Sequence, residues 1–237
     1  MTRLAFYFDA SACSGCKACQ IACKDKQSSP LGVRWRRVYE VAGGGWHQRG
    51  AAWVHDVFAY HLSVACNHCE RPICVEVCPT RAITQRDDGV VLLDAERCMG
   101  CRYCEWACPY GAPQYDVDSG RMSKCDFCVD ELDAGRPPAC VAACPMRALD
   151  FGDMAELASR YGTAAVYPLP DHELTRPAFY VTPPGGAEPT VPAASVRVLG
   201  LTEEAEDAAD QMESGADRVI SSGARGPRVA NREEVRR

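Results

Sequence analysis

At 237 residues the chain can hold one large or two small domains with a real core, and its formal net charge of −6 argues against nucleic acid, which asks for a basic face. No run approaches the roughly 18 apolar residues of a membrane span. The opening MTRLAFYFDA shows no basic stretch followed by a long apolar one, so neither a span nor a secretory leader is expected.

The first segment, LAFYFD at 4–9, is β-prone and leads into CSGCKACQIAC, which carries Cys13, Cys16, Cys19 and Cys23. VRWRRVYEV at 33–41 and VHDVFAYHLSVA at 54–65 read as strands flanking AGGGWHQRG, a glycine-rich turn. Its GGG is no phosphate loop, because no Lys-Ser/Thr follows and no helical pattern opens there. A second quartet follows in CNHCERPICVEVCP: Cys66, Cys69, Cys74 and Cys78. VVLLD at 90–94, reached through the DDG turn at 87–89, reads as the second arm of a hairpin that begins near Ile83. CMGCRYCEWACP at 98–109 holds the third quartet, Cys98, Cys101, Cys104 and Cys108. The fourth is Cys125, Cys128, Cys140 and Cys144, with CDFC and CVAACP separated by a longer loop.

The sixteen cysteines are thus used up in four quartets, each ending in a C-x-x-x-C step. CPTRAI, CPYGAP and CPMRAL follow the last three with Pro and place Ala four residues beyond the cysteine, the mark of a duplicated unit. Pro suits a first helical turn, so short helices are expected after Cys78, Cys108 and Cys144, and one also after Cys23, although Lys24 stands there in place of Pro. Gly15 and Gly100 fall where a tight loop needs backbone angles other residues avoid. Of the four lysines, Lys17, Lys24 and Lys124 lie beside cysteines; Lys17 and Lys24 are assigned no role.

Beyond about residue 168 the composition turns rich in Pro and Gly, as suits an extended arm over 169–200. Residues 201–217 carry seven acidic residues and no basic one, and 218–237 carry six Arg against two Glu, a solvated and disordered tail by composition.

Disulfides fit such thiols poorly, because neighbours in C-x-x-C-x-x-C close small strained loops and a reducing compartment opens them. Zinc asks for two C-x-x-C pairs around one tetrahedron, and the fourth quartet taken alone could pass as that. C-x-x-C-x-x-C-x-x-x-C-P is instead the run of iron–sulfur clusters, whose fourth thiol goes to the partner cluster in two-cluster ferredoxins. The quartets therefore pair. His68, inside CNHC, is in this reading a residue that supports the ligands from behind or packs, and not a ligand, since four cysteines already saturate a cube. Trp35, Trp46, Trp53 and Trp106 belong to core or interface. No nucleophile with a base and no dinucleotide fingerprint is present, so no catalytic residue is expected.

RRVYEVAGG, FAYHLSV-CNHC, GCRYCEWACPYGAPQYD and PACVAACPMRALDFG together resemble the iron–sulfur subunit of the dimethyl sulfoxide reductase family of molybdopterin oxidoreductases, over roughly residues 1–185. The resemblance implies an α+β fold of two ferredoxin-like double-cluster modules within 1–168, quartet 13–23 pairing with 125–144 and 66–78 with 98–108. It implies four 4Fe–4S clusters: one on Cys13, Cys16, Cys19 and Cys144, nearest the catalytic subunit; a second on Cys125, Cys128, Cys140 and Cys23; a third on Cys66, Cys69, Cys74 and Cys108; a last on Cys98, Cys101, Cys104 and Cys78. Nitrate-reductase-type relatives carry Trp at the place of Cys101; the Cys here implies a full cube. The implied partners are a large molybdenum or tungsten bis-pterin catalytic subunit and a membrane anchor with a quinol site, in anaerobic respiration, with this chain as a non-catalytic electron relay peripheral to the membrane. A free-standing polyferredoxin and a zinc-stapled interaction module are the competing readings. The first shares the chemistry; the second predicts a colourless protein indifferent to air.

Overall fold

The computed structural model describes residues 2–162, 168–184 and, for the backbone, 197–199; the charged 201–237 tail lies outside the described residues. Strand β1 (Leu4–Asp9) is followed by helix α1 (Ala18–Lys26), then by β2 (Arg37–Gly43), the hairpin β3 (Trp46–Arg49) and β4 (Ala52–His55), and β5 (Phe58–Val64). Helix α2 (Ile73–Glu76) precedes the hairpin β6 (Ile83–Gln85) and β7 (Val91–Leu93). Helix α3 (Tyr103–Ala107) precedes a third hairpin, β8 (Gln114–Asp116) and β9 (Arg121–Ser123). Helices α4 (Val129–Asp133) and α5 (Ala139–Ala142) lead to β10 (Leu149–Asp153) and α6 (Met154–Tyr161). A 3-10 turn at His172–Leu174, β11 (Phe179–Thr182) and β12 (Arg197–Leu199) complete the order. Helices and small sheets are mixed along the sequence, the α+β class expected from it.

LAFYFD forms a strand because nearly every side chain in it is buried: Ala5, Phe6 and Phe8 are at most 1% exposed. β1 is the middle of three strands, antiparallel to β10 and parallel to β11. The described part of the segment expected to be an extended arm, up to residue 184, thus returns to the body. Glu70 N–H donates to Arg176 O (2.8 Å), Arg71 N–H to Thr175 O (3.0 Å) and Ala178 N–H to Asn67 O (2.9 Å), strapping it over the second quartet.

β2 and β5 pair antiparallel over seven residue pairs, with β12 on the other side of β2. The glycine-rich turn expected between them is in fact a second hairpin. Asp56 accepts from Gly45 N–H (2.7 Å) and from the His47 ring (2.9 Å), closing its base. Every residue of β3 and β4 is exposed, Trp46 and Trp53 included. The hairpin expected from Ile83 to VVLLD forms as β6–β7, with Ile83 opposite Leu93.

The helices are where the expectation needs correcting. None of them opens on a Cys-Pro. Instead α1 contains Cys19 and Cys23, α2 contains Cys74, α3 contains Cys104 and α5 contains Cys140. In the last three quartets the helix occupies the C-x-x-x-C step and ends just before its final thiol, and the Pro lies past the end, where it cannot continue the helix. Pro marks the stop here, not the start.

The core runs through the quartets. Phe127, between Cys125 and Cys128, is fully buried and stacks on Phe6 with centroids 3.9 Å apart and planes 7° from parallel. Cys19, Cys66, Cys125, Cys140 and Cys144 belong to the same buried cluster as Phe6, Val41, Leu62 and Leu149. Among the described residues no helix is long and apolar enough to cross a membrane.

Candidate metal centres

The duplicated unit has a physical basis in backbone shape. The third residue after the last cysteine takes positive φ in each copy, Arg81 at 52°, Gly111 at 58° and Arg147 at 53°. That turn sends the next N–H back toward the sulfur: Ala82 N–H lies 3.2 Å from Cys78 Sγ and Ala112 N–H 3.5 Å from Cys108 Sγ. Ala82, Ala112 and Ala148 are all at most 2% exposed, so the recurring alanine fills a place with no room for a larger side chain.

The C-x-x-C-x-x-C loops repeat a second device. Gly15 and Lys17, and Gly100 and Arg102, take φ of 69° and 60°, and of 72° and 64°. The left-handed residues turn the loop so that successive thiols face one space. At Gly100 the requirement is also steric, because a Cβ there would stand 2.1 Å from the Gly120 carbonyl oxygen.

Cysteines from different quartets are brought near one another. Cys13, Cys16 and Cys19 line one pocket together with Cys144 from a distant part of the sequence. Cys98, Cys101 and Cys104 line another together with Cys78. Between these, burial pushes Cys74 far above the usual thiol range, and nearby Cys66, Cys108 and Cys69 add to the effect. Cys23 is pushed up to about 12 by burial, with Cys140 and Cys128 as its nearby thiols. Cys125, also raised by burial, has Cys23 and Cys140 beside it, and Cys66 of the next group. Ionised thiols packed this densely repel one another, so something positive must sit among them for all to be ionised together.

Positive charge is present. The buried charged residues among those described are Arg36, Arg37 and Lys124, and no aspartate or glutamate is buried with them. Lys124 donates to the Val91 and Cys125 carbonyls. Arg37 donates to Tyr110 O (2.9 Å). Arg36 spends one nitrogen on Ser63, while its Nε and Nη2 have no hydrogen-bond partner. A buried cation without a counter-charge is strongly destabilising. Anionic iron–sulfur clusters on the thiols answer that need, since four thiolates on a cube leave the group net negative; protonated thiols do not. On this test the residues fit the cofactor.

Hydrogen bonds to sulfur complete the surroundings. Ser63 Oγ lies 3.4 Å from Cys19 Sγ, Met122 N–H donates to Cys98 Sγ at 3.4 Å, and Gln27 Nε2 lies 4.0 Å from Cys128 Sγ. Thr175, from the returning segment, is in hydrogen-bond contact with Cys69, whose thiol burial pushes up to about 12. Cys78 is held below the ordinary thiol value: burial acts to raise it, but the N–H groups of Ile83, Ala82 and Thr80 and the Thr80 hydroxyl together prevail.

His68 is fully buried, accepts at Nδ1 from Val91 N–H (3.0 Å) and packs against Phe127. It is a packing residue, one of the two roles the sequence left open. Lys24 is no solvated bystander: its ammonium donates to Ser29 O, Pro30 O and Val33 O at 3.1, 2.7 and 3.2 Å, closing the loop after α1. Sequence reasoning missed Arg36, Ser63 and Thr175. The adjacent arginines of RWRRVYEV gave no signal of Arg36: it precedes the strand, and both Arg36 and Arg37 are buried, which alternation does not predict.

Two ends of the thiol array reach the surface. Met99, Tyr103 and Trp106 are 65%, 51% and 68% exposed, and the first two line the pocket of Cys78, Cys98, Cys101 and Cys104. Met146, half exposed, lines the pocket of Cys13, Cys16, Cys19 and Cys144.

Residues 57–154 match the family model of the 4Fe-4S dicluster domain. Among curated proteins, the sequence is 49% identical to the B subunit of the anaerobic dimethyl sulfoxide reductase of Escherichia coli (strain K12) over 190 residues, 80% of this chain and 93% of that one. It is 36% identical to the B subunit of the sulfite dehydrogenase of Allochromatium vinosum over 209 residues, 77% of this chain and 84% of the relative. The B subunit of the tetrathionate reductase of Salmonella typhimurium is 39% identical over 163 residues, 68% of this chain and 62% of that relative.

Proposed function

The chain is a member of the family of iron–sulfur B subunits of dimethyl sulfoxide reductase and related complexes, and from that premise we propose which thiols hold each cluster and which partners stand at either end. The chain carries 4Fe–4S clusters and transfers electrons; it is not itself the catalytic subunit. The ligand sets are Cys13, Cys16, Cys19 with Cys144; Cys23 with Cys125, Cys128, Cys140; Cys66, Cys69, Cys74 with Cys108; and Cys78 with Cys98, Cys101, Cys104. What supports this is the company the thiols keep: Cys144 lines the pocket of Cys13, Cys16 and Cys19, Cys78 lines that of Cys98, Cys101 and Cys104, Cys23 has Cys140 and Cys128 near it, and Cys74 has Cys66, Cys108 and Cys69. Crossing is what two-cluster ferredoxin modules do. It supports two such modules, one nested inside the other in sequence.

A zinc-stapled module would draw four sulfurs to about 2.3 Å from one ion. The thiols here are spread around pocket walls, and among the described residues no three His, Cys, Asp or Glu side chains converge as on a single metal ion.

The two exposed rims favour a relay with partners at both ends. The Met146 end faces a large molybdenum or tungsten bis-pterin subunit; the Met99, Tyr103 and Trp106 end faces a membrane anchor that exchanges electrons with quinol. Work in anaerobic respiration, peripheral to the membrane, is part of this reading, supported by the relatives that are subunits of reductase complexes. Purification of the tagged chain from native membranes without air, with molybdenum or tungsten assayed beside iron, tests it. A large pterin-containing subunit arriving in step with the iron is the expected result. The chain arriving alone with its iron would make it a diffusible polyferredoxin.

A further inference from the structure

Arg36 is 1% exposed and its guanidinium carbon lies 4.8 Å from the centroid of the Phe6 ring, so no water reaches it. One nitrogen, Nη1, donates to Ser63 O (3.3 Å) and Ser63 Oγ (3.1 Å), and the Ser63 hydroxyl in turn contacts Cys19 Sγ at 3.4 Å. The remaining Nε and Nη2 have no hydrogen-bond partner. The thiols whose charge acts on it are those of Cys140, Cys19, Cys125 and Cys23, and its backbone N–H is hydrogen-bonded to Cys23. Those four cysteines are not one ligand set. Cys19 belongs to the first, and Cys23, Cys125 and Cys140 belong to the second.

We propose that Arg36 is the fixed positive charge shared by the first and second clusters, and that it raises the reduction potential of both by favouring the state with one more electron. The inference rests on the ligand sets proposed above. Its physical core is simple. Each electron taken up makes a cluster one unit more negative, with the electron supplied by the donor and the charge left near a side chain that is itself only 1% exposed. A permanent cation at short range stabilises the reduced state more than the oxidised one. Arginine suits the task because it stays protonated at any working pH and offers several donors at once. Lys124, another buried cation beside these thiols, has its ammonium engaged by two carbonyls, whereas Nε and Nη2 of Arg36 have no hydrogen-bond partner.

This makes Arg36 a positioning residue for electron flow, and a purely structural role predicts something different. A packing role over Phe6 and Ser63 depends on the shape of the side chain; the electrostatic role depends on its charge. Arg36→Met keeps an apolar side chain of similar reach and removes the charge, whereas Arg36→Lys keeps the charge and changes the shape.

The test uses the whole complex, purified without air, with iron counted per chain and each cluster followed by electron paramagnetic resonance during a redox titration. At the wild-type midpoint of the second cluster, Arg36→Met is expected to raise the oxidised-to-reduced ratio at least tenfold, which is ~59 mV for a one-electron couple. The first cluster shifts the same way, the cluster of Cys78, Cys98, Cys101 and Cys104 does not move, and Arg36→Lys titrates close to wild type. Should Arg36→Met fail to hold iron, Arg36→Lys decides: full iron and near-native midpoints support the charge. An unshifted Arg36→Met with full iron overturns the proposal, as do equal shifts in both variants or loss of iron from both. Wild-type protein lacking the four cluster signals would instead overturn the ligand assignment on which the proposal stands.

Discussion

Gly100→Ala isolates the loop that carries Cys98 and Cys101. Gly100 has φ of +72°, and a left-handed conformation costs a residue with a Cβ roughly 1–2 kcal/mol. The added methyl would also stand 2.1 Å from the Gly120 carbonyl oxygen, which is backbone and cannot swing aside. Gly120 is fixed in turn, its N–H donating to Asp116 O (2.9 Å) at the end of the β8–β9 hairpin. Relief therefore requires the hairpin tip to lift or the cysteine loop to move. Gly135→Ala is the matched control, with the same φ of +72° and nothing within 4 Å of its added Cβ. It carries the conformational penalty without the clash, and a shift of about 2–8 °C in the midpoint of heat-induced bleaching is expected, at roughly 2–4 °C per kcal/mol. Gly100→Ala should lose more than this and should lose it locally. Iron per chain falls by one cluster's share, and the resonance signal of the cluster proposed for Cys78, Cys98, Cys101 and Cys104 disappears while the other three persist. If Gly100→Ala retains all its iron and bleaches together with Gly135→Ala, the reasoning from close approach is wrong.

Cys101→Ser should alter one of the four reduced-state resonance signals and leave the fold and the other three signals in place; an unchanged reduced spectrum would count against the assignment. Lys24→Met strips three carbonyls of their donor, and at roughly 1.5–3 kcal/mol for hydrogen bonds to a charged group it should lower the bleaching midpoint of the complex measurably, in the range of several degrees. Tyr110→Phe removes the hydroxyl that accepts from Thr175 (3.2 Å, buried), at a cost of about 1 kcal/mol, and limited proteolysis should then cut faster around Arg176 as the strap over the second quartet loosens.

The metal chemistry was legible because ligand spacing is local. C-x-x-C-x-x-C leaves little choice about what the backbone must curl around, and no tertiary contact is needed to see it. LAFYFD and the Ile83 hairpin were legible for the same reason, since a run of β-prone residues and an Asp-Asp-Gly turn act over a few residues. The helix positions were misread because Pro is informative at both ends of a helix, and only the turn after each Cys-Pro, held by the left-handed Arg81, Gly111 and Arg147, shows which end it marks. Trp46 and Trp53 gave no hint of an exposed hairpin, because their strands pair only with each other. Arg36 was out of reach altogether. Its meaning depends on thiols from both halves of the sequence, and an arginine beside another arginine and a tryptophan reads as surface until the strand is packed.

The nesting of β1 between β10 and β11 fixes a timetable for biogenesis. About 140 positions separate Asp9 from Leu149, so at roughly 5–20 residues per second the ribosome makes the first strand on the order of 7–30 s before its neighbour exists. On the ligand sets proposed above, Cys13, Cys16 and Cys19 are synthesised early and then wait for Cys144. The inner pair of quartets, from Cys66 to Cys108, is complete long before. Maturation would therefore proceed from the middle of the sequence outward, and the end of the relay made first is the last to close.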